Sequence, residues 1–271
     1  MDINLYTKSL TKEDGIWYTE KNAAIAYPDE GNENSYQVEE NSFWFRHRNN
    51  CIVEILKKFP PANVFFDIGG GNGFVAKGIQ DAGIETVLLE PGRKGCLNAK
   101  KRSIKNIICS TLEDAGFEKE SIPAIGLFDV VEHFEHDMEL LSSVYGYLQK
   151  DGLVYITVPA YNFLWSKDDD YGPHFNRYTT RSLSKRLEKV GFHMEYATYI
   201  FSILPLPIFL FRTIPGRLGI NINPADTKKQ SKDHRNENPI IQKVWERELN
   251  RIKKNKVIPF GGSCLVVARK P

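Results

Sequence analysis

Apolar residues along this chain fall into two patterns, unbroken runs and spaced series. The runs are Val64-Phe65-Phe66, Thr86 to Leu89, Ile107-Ile108, Leu127-Phe128 and Leu153 to Pro159, each stopped by a polar residue, glycine or proline. Such runs read as strands buried on both faces, as in a parallel sheet. One spaced series opens after Ser42, an N-cap residue type, and continues from Phe43 through Ile52, Ile55 and Leu56. A second, Ile240, Ile241, Val244, Trp245, Leu249 and Ile252, sets its apolar members on one helical face, with Glu248 in the series. Leu148 to Gly152 reads as a helix-ending turn, and Ser263 to Arg269 as a closing strand. Strands alternating with helices imply a doubly wound α/β sheet.

The first run is the most informative because of what it meets: Asp67, then glycines at 69, 70, 71 and 73. Glycines there let the backbone approach a ligand closely. A dinucleotide fingerprint counted from Gly69 and Gly71 puts Phe74 where its third glycine belongs, and a phosphate-cradling loop would need a Lys and Ser/Thr that do not follow. What remains is D-x-G-x-G-x-G, from Asp67, Gly69, Gly71 and Gly73. The next run ends at Glu90, at the carboxyl end of the neighbouring strand, where one carboxylate can accept both hydroxyls of a ribose.

With these residues the chain resembles the class I S-adenosylmethionine-dependent methyltransferases, over about residues 43 to 190 and more loosely beyond. The resemblance implies a Rossmann-like three-layer sandwich: a seven-stranded, mostly parallel sheet with one antiparallel edge strand. It implies S-adenosyl-L-methionine as cofactor, with Asp67, Gly69, Gly70, Gly71 and Gly73 at its methionine part and Glu90 at the ribose. Thr111 and Leu112 match the segment that contacts adenine; the alternative is a plain loop with Asp114 as an N-cap.

Leu127 to Phe134, LFDVVEHF, resembles the acidic-x-x-Glu-His sequence of a small-molecule subgroup that includes the ubiquinone-biosynthesis O-methyltransferases. Asp129, Glu132 and His133 stand at i, i+3 and i+4, on one face if the turn is helical. His133 can take a proton from an acceptor hydroxyl, the triplet can hold a divalent cation, or the side chains can simply fix the loop. We expect the first, with Glu132 and His174 beside it, Asp129 on the cofactor side, and no metal. An Asn/Asp-Pro-Pro-aromatic turn of the nucleic-acid amino-methylating type is absent here.

The loop from Ala160 to Thr180 is long and aromatic, which marks functional segments more often than filler. It resembles the D-x-x-x-G-H-x-R-R-Y-T segment of some bacterial methyltransferases, with Pro173 separating Gly172 from His174 and Asn176 where an arginine is frequent. His174, Arg177 and Tyr178 are read as organising the loop or facing the acceptor. Phe43, Trp44 and Arg46 form either a lid over the cofactor mouth or ordinary packing.

Composition narrows the partners. The 271 residues are 41% hydrophobic, enough for a full three-layer core, and 36 basic against 34 acidic residues leave a net charge of +2, with no field demanding nucleic acid. Cysteines 51, 96, 109 and 264 lack C-x-x-C spacing, and the charged amino terminus has no secretory core, so a reduced, cytoplasmic setting is expected. Tyr196 to Phe211 is uncharged, yet a bilayer span needs about 20 residues and Pro205 and Pro207 interrupt it. It reads as a sixth strand and an apolar helical hairpin serving the core, an apolar acceptor, or peripheral membrane contact beside Arg212 and Arg217.

Residues 1–42 are expected to form an extension with a hairpin at 15–27 and a polar stretch at 29–35. Residues 43–271 are expected to form the methyltransferase domain, with an insertion at about 201–256 whose part from 221 to 238 is a polar loop. The function expected is methyl transfer to a small-molecule acceptor at oxygen. The alternatives are an NAD-linked or nucleotide-sugar oxidoreductase, opposed by Phe74, and a non-catalytic cofactor-binding protein.

Overall fold

A computed structural model describes residues 2–19, 36, 38–219 and 239–271. The expected polar segments at 29–35 and 221–238, and the hairpin beyond Thr19, lie outside these residues.

Five strands form the parallel centre: β3 (Phe65–Ile68), β4 (Thr86–Leu89), β5 (Asn106–Cys109), β6 (Ile122–Phe128) and β7 (Leu148–Pro159). All residues of β3, β4 and β6 are buried, as unbroken apolar runs require. From β3 the chain steps to β4 and then β5, returns to β6 on β3's other side, and goes on to β7. These steps run in opposite directions, so right-handed crossovers place their helices on opposite faces of the sheet. Helix α1 (Phe43–Lys58) precedes β3, α2 (Phe74–Asp81) follows it, α3 (Arg93–Lys101) follows β4 and α4 (Asp137–Tyr147) follows β6. After β7 come α5 (Lys167–Tyr171) and α6 (Thr180–Val190), then β8 (His193–Ile200), α7 (Pro239–Lys253) and β9 (Ser263–Arg269).

Among the described residues the sheet has nine strands, not the expected seven. The two additions are β1 (Leu10–Glu13) and β2 (Ile16–Thr19), a hairpin whose second strand pairs in parallel with β5, Ile16 opposite Ile107. Ile16 is fully buried and packs with Leu88, Cys96 and Ile107 in a small apolar cluster of its own. The expected antiparallel edge strand also changes place: β9 runs antiparallel between β7 and β8, and the edges are β1 and β8. Leu148 does cap a helix, but Leu148 to Gly152 belongs to the following strand rather than to a free turn. Helix α4 stops at Tyr147 and β7 begins at Leu148, with Asp151 in the left-handed region at φ 61°.

Near the carboxyl end, one carboxylate joins three elements. Glu248 of α7 accepts hydrogen bonds from the Phe201 and Ser202 N–H groups at 2.9 and 2.6 Å and meets His47 Nε2 of α1 at 2.9 Å. Burial opposes its charge, but His47 and Ser202 outweigh that and hold its pKa below the usual range. The apolar segment after β8 is one run of short helical pieces, Pro205–Ile208, Phe209–Thr213 and Ile214–Arg217, rather than the expected hairpin. It packs on the loop after β7 through Thr213 Oγ1, which donates to the Leu164 carbonyl at 3.1 Å. No helix among the described residues is long and apolar enough to cross a membrane.

Candidate active site

The strand order reverses between β3 and β6, and the carboxyl ends of strands on either side of such a reversal leave a crevice for ligands. Asp67 lies near the carboxyl end of β3, and the other residues expected from the sequence to form the site follow the carboxyl ends of the parallel strands. Gly69 to Gly73 follow β3, Glu90 follows β4, Thr111 and Leu112 follow β5, Asp129, Glu132 and His133 follow β6, and His174 follows β7.

The glycine loop is held from both sides. Gly69 N–H donates to the Leu89 carbonyl at 2.8 Å, and Glu90 accepts from Gly71 N–H at 2.9 Å and from Gly92 N–H at 2.7 Å. Gly69, Gly71 and Gly73 have φ of 69°, 54° and 76°, which a side chain would strain. At Gly70 the constraint is space: a Cβ would fall 2.2 Å from Leu88 Cδ1 and 2.6 Å from Asp67 Oδ2.

Asp67 is the most anomalous group in the crevice. Its side chain is buried, and apart from the Ala76 N–H, the smallest of the influences on its pKa, no hydrogen-bond donor among the described residues reaches its carboxylate oxygens. Burial pushes its pKa up to about 7, with Arg48 and the Ala76 N–H acting in the opposite direction and Glu90 adding to the rise. A largely unpartnered buried carboxylate beside a glycine loop suits a cationic ligand group, and the methionine end of S-adenosylmethionine carries an ammonium and a sulfonium.

Arg48, which sequence reasoning missed, projects from α1 into the same crevice. It pairs with Asp129, and its guanidinium lies 4.5 Å from the Trp44 ring centre. Burial lowers its pKa to about 10, opposed by Glu39, Asp67 and Glu132. It escaped notice because a charged residue in an amphipathic helix normally faces water; the one available signal was its position one turn after Trp44. A second missed contact is made by Arg102, which donates to the Asn72 carbonyl at 2.9 Å and to Glu39 Oε2 at 2.5 Å. Asn72 in turn donates to Glu39 Oε1 at 3.2 Å, so the segment before α1 is tied to the glycine loop. A third is Ser110, buried with its Oγ unpartnered at the end of β5.

The adjoining Thr111 hydroxyl bonds to Asp114 at 3.0 Å and Leu112 is buried. No helix starts at Asp114, so the N-cap alternative does not hold. Of the residues offered for a lid, Phe43 and Trp44 serve packing instead. Phe43 stacks on Trp245 at 6.0 Å and Trp44 on Phe201 at 5.5 Å, which makes them packing between α1, α7 and the end of β8.

Asp129, Glu132 and His133 do not share one helical face. Asp129 has φ 56° and precedes a single three-residue turn, Val131–His133, so its carboxylate turns to Arg48 instead. Glu132 and His133 meet His174 of the next loop, the two imidazole centres lying 4.8 Å apart. Glu132 is buried and its pKa rises to about 8, while burial and His174 lower that of His133 to about 4. His133 is therefore a neutral imidazole near pH 7.

The loop after β7 is organised by Asp169. It accepts from Arg177 Nε at 2.7 Å and from Ser166 N–H at 2.8 Å, and meets His174 Nδ1 at 2.8 Å. Burial would raise its pKa, but His174 and Arg177 overcome that and set it at about 2. Tyr178 is buried and donates to Asp137 Oδ2 at 2.9 Å, which makes it a loop anchor rather than an acceptor-facing residue.

Fold and crevice together define a doubly wound α/β domain with a ligand-sized opening where the strand order reverses. Phosphoethanolamine N-methyltransferase 2 of Haemonchus contortus, in complex with S-adenosyl-L-methionine, is similar in structure at TM-score 0.55 and 18% identity. That likeness covers 90% of this chain and 58% of that one, so the chain spans little more than half of it. A possible histamine N-methyltransferase from Thermotoga maritima is similar at TM-score 0.55 and 15% identity, over 88% of this chain and 99% of that one. The [4+2]-cyclase SpnF is similar at TM-score 0.52 and 13% identity, over 83% and 81%. No curated protein gives a significant match. The chain belongs to the family described as a methyltransferase domain, which matches residues 31–197.

Proposed function

We propose that this chain transfers the methyl group of the donor S-adenosylmethionine to the oxygen of a small-molecule acceptor. The observation that carries the reading is the largely unpartnered Asp67 carboxylate beside a glycine loop gripped by Glu90. In this reading Asp67 meets the cationic methionine end. Glu90 serves the ribose, and Thr111 and Leu112 border the adenine. The donor supplies an already activated methyl, so the protein's work is alignment, exclusion of water and management of one proton.

In this reading His133 faces the acceptor side, and its neutral imidazole suits orienting the acceptor hydroxyl, while a pKa of about 4 makes it a weak proton acceptor. The acceptor class is supported by the exposed apolar residues Phe163, Leu206 and Phe211 near the loop after β7, which suit a partly apolar molecule or contact with a membrane surface. Family membership sets aside the oxidoreductase alternative. Methylation at nitrogen or carbon is the competing outcome.

Calorimetric titration with S-adenosylmethionine tests the donor side: binding is expected, and Glu90→Ala weakens it at least tenfold. Transfer of labelled methyl to fractionated small-molecule extracts tests the acceptor side. Absence of donor binding, or wild-type affinity in Glu90→Ala, sinks the assignment; donor binding without transfer would favour a cofactor-binding role.

A further inference from the structure

Glu132, His133 and His174 each present one donor atom, and the three atoms lie within 4.8 Å of one another. One carboxylate and two imidazoles is the ligand set of divalent first-row transition ions, whereas Mg²⁺ and Ca²⁺ prefer oxygen alone. Two independent observations point to a ligand here. Glu132 is 1% exposed, and its Oε2 has no hydrogen-bond partner, a costly state for a buried carboxylate. His174 is also aimed. Asp169 Oδ1 meets its Nδ1 at 2.8 Å, and Arg177 fixes Asp169 through bonds of 2.7 and 3.1 Å. With Nδ1–H donated to Asp169, the lone pair of His174 sits on Nε2, the tautomer that metal-binding histidines adopt when a carboxylate backs them.

We propose that Glu132, His133 and His174 bind one divalent first-row transition-metal ion. The ligand atoms would draw in to about 3–3.5 Å apart, the separation set by metal–ligand bonds near 2.1 Å. That movement is small for side chains on a loop and a single turn. Three protein ligands leave coordination positions open to an acceptor oxygen, whose proton a bound ion would make easier to lose. Binding of the ion stands on its own; only this role rests on the methyl-transfer reading. Asp129 is not a ligand, because Arg48 already holds it.

The test is titration of the full-length, EDTA-stripped protein with Co²⁺, followed by visible absorption, with Zn²⁺ competition. One equivalent of Co²⁺ is expected to bind and to be displaced by Zn²⁺. Glu132→Gln and His174→Ala should each weaken binding more than tenfold, and Asp169→Asn by about 10- to 100-fold, with folding verified by circular dichroism. No wild-type binding at millimolar Co²⁺, or binding that survives in both ligand variants, overturns the proposal. Donor binding measured in parallel separates the two ideas. Co²⁺ binding without donor binding removes the functional reading and keeps the site, and the reverse removes the site alone.

Discussion

Arg48 pairs with Asp129 and so fastens helix α1 to the turn after β6. Both partners are largely buried, with side chains 9% and 20% exposed. Removing one member of such a pair leaves the other without compensation. Arg48→Met, which keeps the aliphatic stem near Trp44, is expected to cost about 3–5 kcal/mol, read as a lower urea midpoint.

Asp67 links folding and donor binding to pH. Its pKa rises from 3.8 to about 7 in the folded chain, so the native state holds a proton that the unfolded chain releases. Its contribution to stability is full below about pH 4 and is lost as pH rises towards 7. A cationic group placed against Asp67 would restore the ionised form. At pH 6, donor binding should therefore release a proton, seen as a binding enthalpy that depends on the buffer's ionisation enthalpy. Asp67→Asn should remove that dependence. A buffer-independent enthalpy in the wild type would count against Asp67 at the cation.

Gly73 should resist substitution for two separate reasons. Its φ is 76°, and a Cβ there would stand 2.9 Å from the Ala99 Cβ and 3.1 Å from Ile104 Cγ1. Gly73→Ala is expected to cost about 1–3 kcal/mol for the backbone and about as much again for overpacking, measured by urea unfolding.

Tyr178 anchors the loop from a distance. Its hydroxyl donates to Asp137, which also accepts from Arg186 Nε at 2.9 Å. Tyr178→Phe should lower stability by about 1–3 kcal/mol while leaving donor affinity in calorimetry unchanged. A large loss of donor affinity would mean that the loop shapes the donor site as well.

The parts legible in the sequence were those fixed by local pattern. The apolar runs gave the parallel strands, and the Asp67-to-Gly73 spacing gave the loop between β3 and α2, because buried strands and positive-φ glycines leave a direct trace in residue type. The illegible parts depend on contacts between distant segments. Pairing of β2 with β5 joins Ile16 to Ile107 across about ninety residues, which no periodicity reports. The same holds for Arg48 with Asp129, and for His174 with Glu132 and His133. Reading Asp129, Glu132 and His133 as one helical face failed because a left-handed residue breaks the period before the turn begins.

The amino-terminal hairpin also decides what the sheet offers to other molecules. Its outer strand, β1, carries Thr11, Lys12 and Glu13, all exposed, and charged side chains on an outermost strand discourage pairing with a second chain. Without β1 and β2, the outermost strand would be β5, whose Ile107 and Ile108 are buried in the intact fold. The hairpin thus acts as a cover against intermolecular strand addition, and its removal would first be felt as lost solubility on storage.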